Sequence, residues 1–167
     1  MANNTAHKGL IRDCIITRKA LPATLKAIRR RRKRQIVFTN GVFDILHAGH
    51  VEYLSKAKAL GDILIVGVNR DSSVRRLKGP SRPLQTEKDR ALIVAALKPV
   101  DYVILFSADT PERLIEAISP DVLVKGADYK LAEIVGAEFV RSQGGVVKRI
   151  ALKKGRSSSG VIERLKC

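Results

Sequence analysis

Short apolar runs alternate along this chain with stretches in which apolar residues recur every three or four positions. Ile36-Val37-Phe38, Asp62 to Asn69, Tyr102 to Phe106, Val122-Leu123-Val124 and Val146 to Ala151 read as strands, the second so continuously apolar that both its faces must be covered. Helical spacing falls between them. Leu21, Leu25 and Ile28 share one face after Pro22, and the run from His50 through Val51, Leu54, Ala57 and Lys58 should stop at Gly61. Thr86 can cap a helix through about Leu97, and Thr110-Pro111 starts one to about Ile118. Further helices are expected around Leu131 to Arg141 and from Ser158. The alternation predicts an α/β fold, a single doubly wound parallel sheet with helices on both faces. Ligands then bind beyond the carboxyl ends of the strands, where Asn40, Asn69, Ser107 and Lys125 emerge.

Residues 1–20 are polar and aperiodic apart from Ile15-Ile16, which predicts a partly mobile start. The expected division is a basic extension with a short helix over residues 1–34 and one domain over 35–167. The start has no signal-peptide character, no run of 18 apolar residues suggests a membrane span, and two distant cysteines give no disulfide framework. A reducing cytoplasm fits these features.

Net charge is +16, and its distribution weakens the nucleic-acid reading it invites. Residues 1–34 hold 11 Lys/Arg against the single acid Asp13, leaving 21 against 15 in the remainder. The block Arg29 to Arg34 could meet RNA or be a solvated helix end. With three Tyr, four Phe and no basic and aromatic interleaving, the chain lacks surfaces on which bases stack. The excess charge outside the extension suits a pocket for polyanionic substrates.

The candidate chemistry centres on Phe38 to His50, which joins a buried strand to a helix. Gly41 and Gly49 let the backbone bend and a ligand approach, and the free N–H groups of the following helix favour phosphate. His47 and His50 add two imidazoles able to donate to phosphate oxygens. A zinc site would need more ligands than this pair, and only His7, Cys14 and Cys167 remain, so no protein-held metal is expected. The string Gly-x-Phe-Asp-x-x-His-x-Gly-His resembles the signature of the cytidylyltransferase-like nucleotidyltransferases, which implies a Rossmann-like sheet.

Two further segments carry the comparison. Asp71 to Pro83 reads as a long basic loop with few apolar anchors, its Arg75, Arg76, Lys78 and Arg82 able to clamp a triphosphate or merely to be solvated. Gly155-Arg156-Ser157-Ser158-Ser159-Gly160 sets three hydroxyls at a helix start, a second phosphate site, where the family has a Ser-Thr-Thr type string. Together with Leu77 to Pro83 and Asp121 to Tyr129, these motifs follow the order of heptose 1-phosphate adenylyltransferases over residues 35–165. Ala127 stands where that family commonly has a second glycine, a methyl that only a positive φ would forbid.

The resemblance implies transfer of AMP from ATP to D-glycero-β-D-manno-heptose 1-phosphate, by in-line attack without a covalent intermediate, for the heptose of lipopolysaccharide core. It implies His47, His50 and Lys78 as catalytic residues, and Mg²⁺ bound mainly through the ATP phosphates. Nucleotide and phosphate contacts fall to Thr39, Asn40, Gly41, Val42, Phe43, Gly49, Lys125, Gly126, Asp128, Ser157, Ser158 and Ser159. Asp44, more readily a turn-stabilising carboxylate than a catalyst, and Arg82 are the candidates for substrate contact. A homo-oligomer is implied, and no membrane or nucleic-acid partner. Two rivals remain: a cytidylyltransferase acting on glycerol 3-phosphate or another alcohol phosphate, and a non-catalytic RNA-binding protein using the arginine block. The Leu-Val-Lys-Gly-Ala-Asp-Tyr segment and the Lys-Gly-Pro-Ser-Arg-Pro loop favour adenylyl transfer.

Overall fold

The structure, a computed structural model, describes residues 10–30 and 34–151. Its strands are β1 (Ile15–Ile16), β2 (Ile36–Gly41), β3 (Ile63–Asn69), β4 (Tyr102–Phe106), β5 (Val122–Gly126) and β6 (Val146–Ile150). They form one sheet in the order β1-β4-β3-β2-β5-β6, with every pair parallel. The helices are α1 (Leu21–Arg30), α2 (Ala48–Lys58), α3 (Asp71–Lys78), α4 (Glu87–Ala95), α5 (Glu112–Ile118) and α6 (Ala137–Ser142). Among the described residues no helix is long and apolar enough to cross a membrane.

Period-two alternation divides the core in two. Ile36, Phe38, Ile63, Ile65, Ile104 and Leu123 pack with residues of α1, α5 and α6 on one face. Val37, Leu64, Val66, Val68, Val103 and Val124 pack with residues of α2 and α4 on the other. Each fully buried branched side chain contributes about 1.5–3 kcal/mol, so the central strands can form only with both faces covered.

Three elements depart from the sequence reading. Ile15 and Ile16 form β1, an edge strand in register with Val103 and Ile104, and α1 adds Leu21, Leu25 and Ile28 to the same core. Two residues are too few to show a period, so only the partner strand reveals them. Much of the expected basic loop is α3, which needs a single deep anchor, fully buried Val74, and ends at Gly79 with φ 91°. The single helix expected over Leu131 to Arg141 is a 3₁₀ turn, Leu131–Glu133, followed by α6. Gly136 separates them at φ 80°, where a Cβ would lie 2.6 Å from Ile115 Cδ1. Ala127 does not adopt a positive φ, which accounts for its methyl. The helix expected from Ser158 lies outside the described residues.

The amino edge of the sheet is tied by one device used three times. Asp62, Asp101 and Asp121, each just before a strand, accept from the backbone N–H groups of Gln35, Leu64 and Ile36 at 2.8, 2.8 and 2.7 Å. Part of the arginine block has a structural task too. Arg29 Nη2 donates to the carbonyls of Ile118 and Ser119 at 3.1 and 2.7 Å, satisfying the end of α5.

Ile36 is fully buried, so removing the carboxylate strands its N–H. Asp121→Ala is expected to lower unfolding free energy in urea by about 1–3 kcal/mol. Glu133→Ala, which removes only an exposed pair with Lys130, should stay within about 0.5 kcal/mol.

Candidate active site

The chain leaves β2 for β3 and β4 on one side and returns to β5 and β6 on the other, so the carboxyl ends of β2 and β5 diverge. A cleft of about 570 Å³ opens at this switch point. Asn40 to Asp44, His50, Tyr53, Lys78 and Arg82 line it, together with Lys125, Gly126 and Asp128.

The turn after β2 is shaped by an aromatic ring. Phe43 adopts φ 52°, uncommon for a bulky residue, and its ring is buried over Gly41, where a Cβ would stand 3.0 Å from the ring. Holding such a residue there costs about 1–3 kcal/mol, which burial of the ring offsets. The ring then packs 5.4 Å from that of His50.

His47 caps α2 and His50 is its third residue. Their rings lie 4.0 Å apart at 32°, and the His47 backbone N–H donates to His50 Nδ1 over a long 3.4 Å. Burial first, then the neighbouring His47 and Lys78, lower the His50 pKa to about 4. The ring is therefore neutral near pH 7, and with Nδ1 accepting, its proton sits on Nε2 as a donor. Gly49 is buried in the first turn, whose N–H groups add further donors.

Across the cleft Lys125, only 8% exposed, donates to Asn40 Oδ1 and lies 5.7 Å from the centre of the Tyr129 ring. Burial lowers its pKa to about 8. Thr39 is fully buried beneath the floor, its hydroxyl 2.8 Å from that of Tyr53, whose pKa burial pushes up to about 12. Thr39 thus positions the cleft-lining Tyr53.

Asp44 and Arg82 meet each other. The Asp44 carboxylate, 2% exposed, accepts from Arg82 Nε at 2.7 Å and from the backbone N–H groups of Leu84 and Gln85 at 2.8 and 3.0 Å. This pairing folds the segment after α3 back onto the turn and holds Arg82 at the cleft. Lys78, the last residue of α3, is exposed there. Arg76 instead braces the opposite rim, donating to Asp109 Oδ1 at 2.8 Å and to the Ser107 carbonyl at 2.6 Å. Ser157, Ser158 and Ser159 lie outside the described residues.

Arg90 is the residue the sequence reading missed. Its guanidinium is fully buried and donates to the carbonyls of Gln85, Val42 and Asn69 at 3.0, 2.6 and 2.8 Å and to Asp71 Oδ1 at 2.7 Å. The available signal was phase: Arg90 falls on the same buried face of α4 as Ala91 and Val94.

A parallel sheet with a histidine-bearing turn at its switch point defines a nucleotide-binding α/β domain. The sequence profile of the cytidylyltransferase-like family matches residues 38–164, and the chain belongs to that family. It is 51% identical over 160 residues to the bifunctional protein HldE of Syntrophotalea carbinolica, and 57% over 134 residues to that of Helicobacter pylori strain Shi470. These matches take in 96% and 80% of this chain but 33% and 28% of the relatives, so the chain spans about a third of the curated relatives it matches. A crystal structure of the lipopolysaccharide core biosynthesis protein from Thermoplasma volcanium is also similar. It is 35% identical with a TM-score of 0.60, over 74% of this chain and 99% of that one.

Because the folded state holds His50 below its ordinary value, the unfolded chain binds more protons between about pH 4 and 6.5, so stability rises with pH through that window and is lost as pH falls from 6.5 toward 4. In an NMR titration the His50 ring should stay neutral from pH 8 to 5, with a midpoint near 4. A midpoint near 6.5 would contradict the burial described.

Proposed function

We propose that this chain transfers AMP from ATP to D-glycero-β-D-manno-heptose 1-phosphate, giving ADP-heptose and pyrophosphate for lipopolysaccharide core. The observation that carries this reading is the grouping of a neutral, donor-bearing His50, the first turn of α2 and Lys78 on one cleft. Such a group suits a polyphosphate. The likeness to HldE proteins and to a lipopolysaccharide core biosynthesis protein supports the choice of sugar phosphate.

In the proposed reaction an anionic oxygen of the sugar 1-phosphate attacks the α-phosphorus of ATP. A new P–O bond forms there as the bond to the β-phosphate breaks, and its electron pair leaves with pyrophosphate. The nucleophile is already ionised, so no general base is required, which agrees with a His50 too weakly basic to serve as one at neutral pH. His47 and His50 would donate to phosphate oxygens, Lys78 would neutralise the leaving pyrophosphate, and Ser158 and Ser159 would meet the β and γ phosphates.

Among the described residues no group of three or more His, Cys, Asp and Glu lies together, and Asp44 is committed to the Arg82 segment. Mg²⁺ therefore fits this site as an ion carried by nucleotide phosphates, which it would partly neutralise, rather than one caged by side chains.

Pyrophosphate release should require ATP together with heptose 1-phosphate. Release with CTP and glycerol 3-phosphate would instead favour a cytidylyltransferase. His47→Ala and His50→Ala should each lower turnover by about 10²-fold or more, and a loss below about tenfold in either would remove that histidine from the mechanism.

A further inference from the structure

We propose that Lys125, held by Asn40, binds the phosphate of the acceptor, the phosphomonoester that attacks the nucleotide, rather than the nucleotide itself. This rests on the nucleotidyl-transfer reading and adds to it a subsite for the second substrate.

The charge of Lys125 is incomplete without a ligand. The residue is only 8% exposed, yet its direct contacts are neutral: the amide oxygen of Asn40 and the ring face of Tyr129 at 5.7 Å, with the Asp128 carboxylate acting on it only from beyond contact. Among the described residues no carboxylate lies within salt-bridge distance of it. A buried cation whose direct contacts are all neutral, and whose nearest carboxylate stands beyond salt-bridge distance, takes an anionic partner readily, and a phosphate dianion supplies one where an uncharged nucleoside does not.

The position of Lys125 fits the nucleophile. Successive residues of β2 point to opposite faces of the sheet. Thr39 meets Tyr53 on the α2 side, the side of His47 and His50, whereas Asn40, the next residue, turns to the other face and meets Lys125. Gly67 leaves room for this, since a Cβ there would lie 3.1 Å from Asn40 Cβ. The cleft thus has two donor poles on opposite sides of the end of β2. In-line displacement places the entering and leaving oxygens on opposite sides of the reacting phosphorus. With the polyphosphate at the helix and histidine pole, the entering phosphate falls to Lys125.

The test uses the full chain with Lys125→Met, Lys125→Arg and Asn40→Asp, the last keeping the lysine but placing a competing carboxylate on it. KM is measured separately for ATP and for heptose 1-phosphate. Calorimetry follows binding of heptose 1-phosphate and of glycerol 3-phosphate, each without nucleotide. Lys125→Met and Asn40→Asp should raise KM for the acceptor at least tenfold and leave that for ATP within threefold, and Lys125→Arg should recover part of the loss. If the variants raise KM for ATP and leave the acceptor within threefold, the proposal is overturned. Should glycerol 3-phosphate alone bind, in a Lys125-dependent manner, the subsite stands and the choice of sugar falls. Binding of either phosphomonoester that ignores all three substitutions also overturns the proposal.

Discussion

The carboxyl edge of this sheet depends on one buried guanidinium. Arg90 reaches from α4 and joins the turn after β2 at Val42, the end of β3 at Asn69, the first residue of α3 at Asp71 and the segment before α4 at Gln85. No ladder joins these four segments to one another, although Asn69 itself pairs with Phe106 at the end of β3. Burying a cation costs several kcal/mol unless its donors are matched, and here three carbonyls and one carboxylate match them. A lysine would offer one ammonium in place of a planar fork and could not span the same acceptors. The Val42 carbonyl fixed in this way directly precedes Phe43 with its φ of 52°, and that ring in turn packs on His50. The orientation of the histidine turn therefore descends from a residue outside it.

Charge is used in two different ways around the cleft. Asp44 and Arg82 largely satisfy each other and the backbone, so they shape the wall. Burial keeps His50 neutral near pH 7 and lowers the Lys125 pKa to about 8, the Asp128 carboxylate opposing that shift only in part. A polyanion entering such a cleft meets donors already positioned by packing, so little reorganisation is needed on binding. At the amino edge the same sheet uses Asp62, Asp101 and Asp121 to satisfy backbone N–H groups, Asp101 also pairing with Lys58.

Much of this could be read from residue order. The apolar runs located β2 to β6, Thr86 marked the start of α4, and the two histidines with their glycines marked the turn that lies between β2 and α2 at the cleft. Local signals failed where a long-range partner decides. Ile15-Ile16 becomes a strand only beside Val103 and Ile104, and α3 becomes a helix through the burial of Val74. Arg90 and Tyr53 join the site through contacts with residues far along the chain, which neither composition nor spacing records.

The sequence by itself determined the layered α/β plan, because strand and helix periods are local and each apolar face must be covered. It also set the donors available at the first turn, since glycines, a helix start and imidazoles follow there in that order. Tertiary structure alone decided that Asp44 is spent on Arg82, that Lys125 is buried against Asn40, and that Arg90 ties the edge together. The physical reason is that burial and pairing depend on what other segments bring within a few ångströms, and those distances are set only when the sheet has closed.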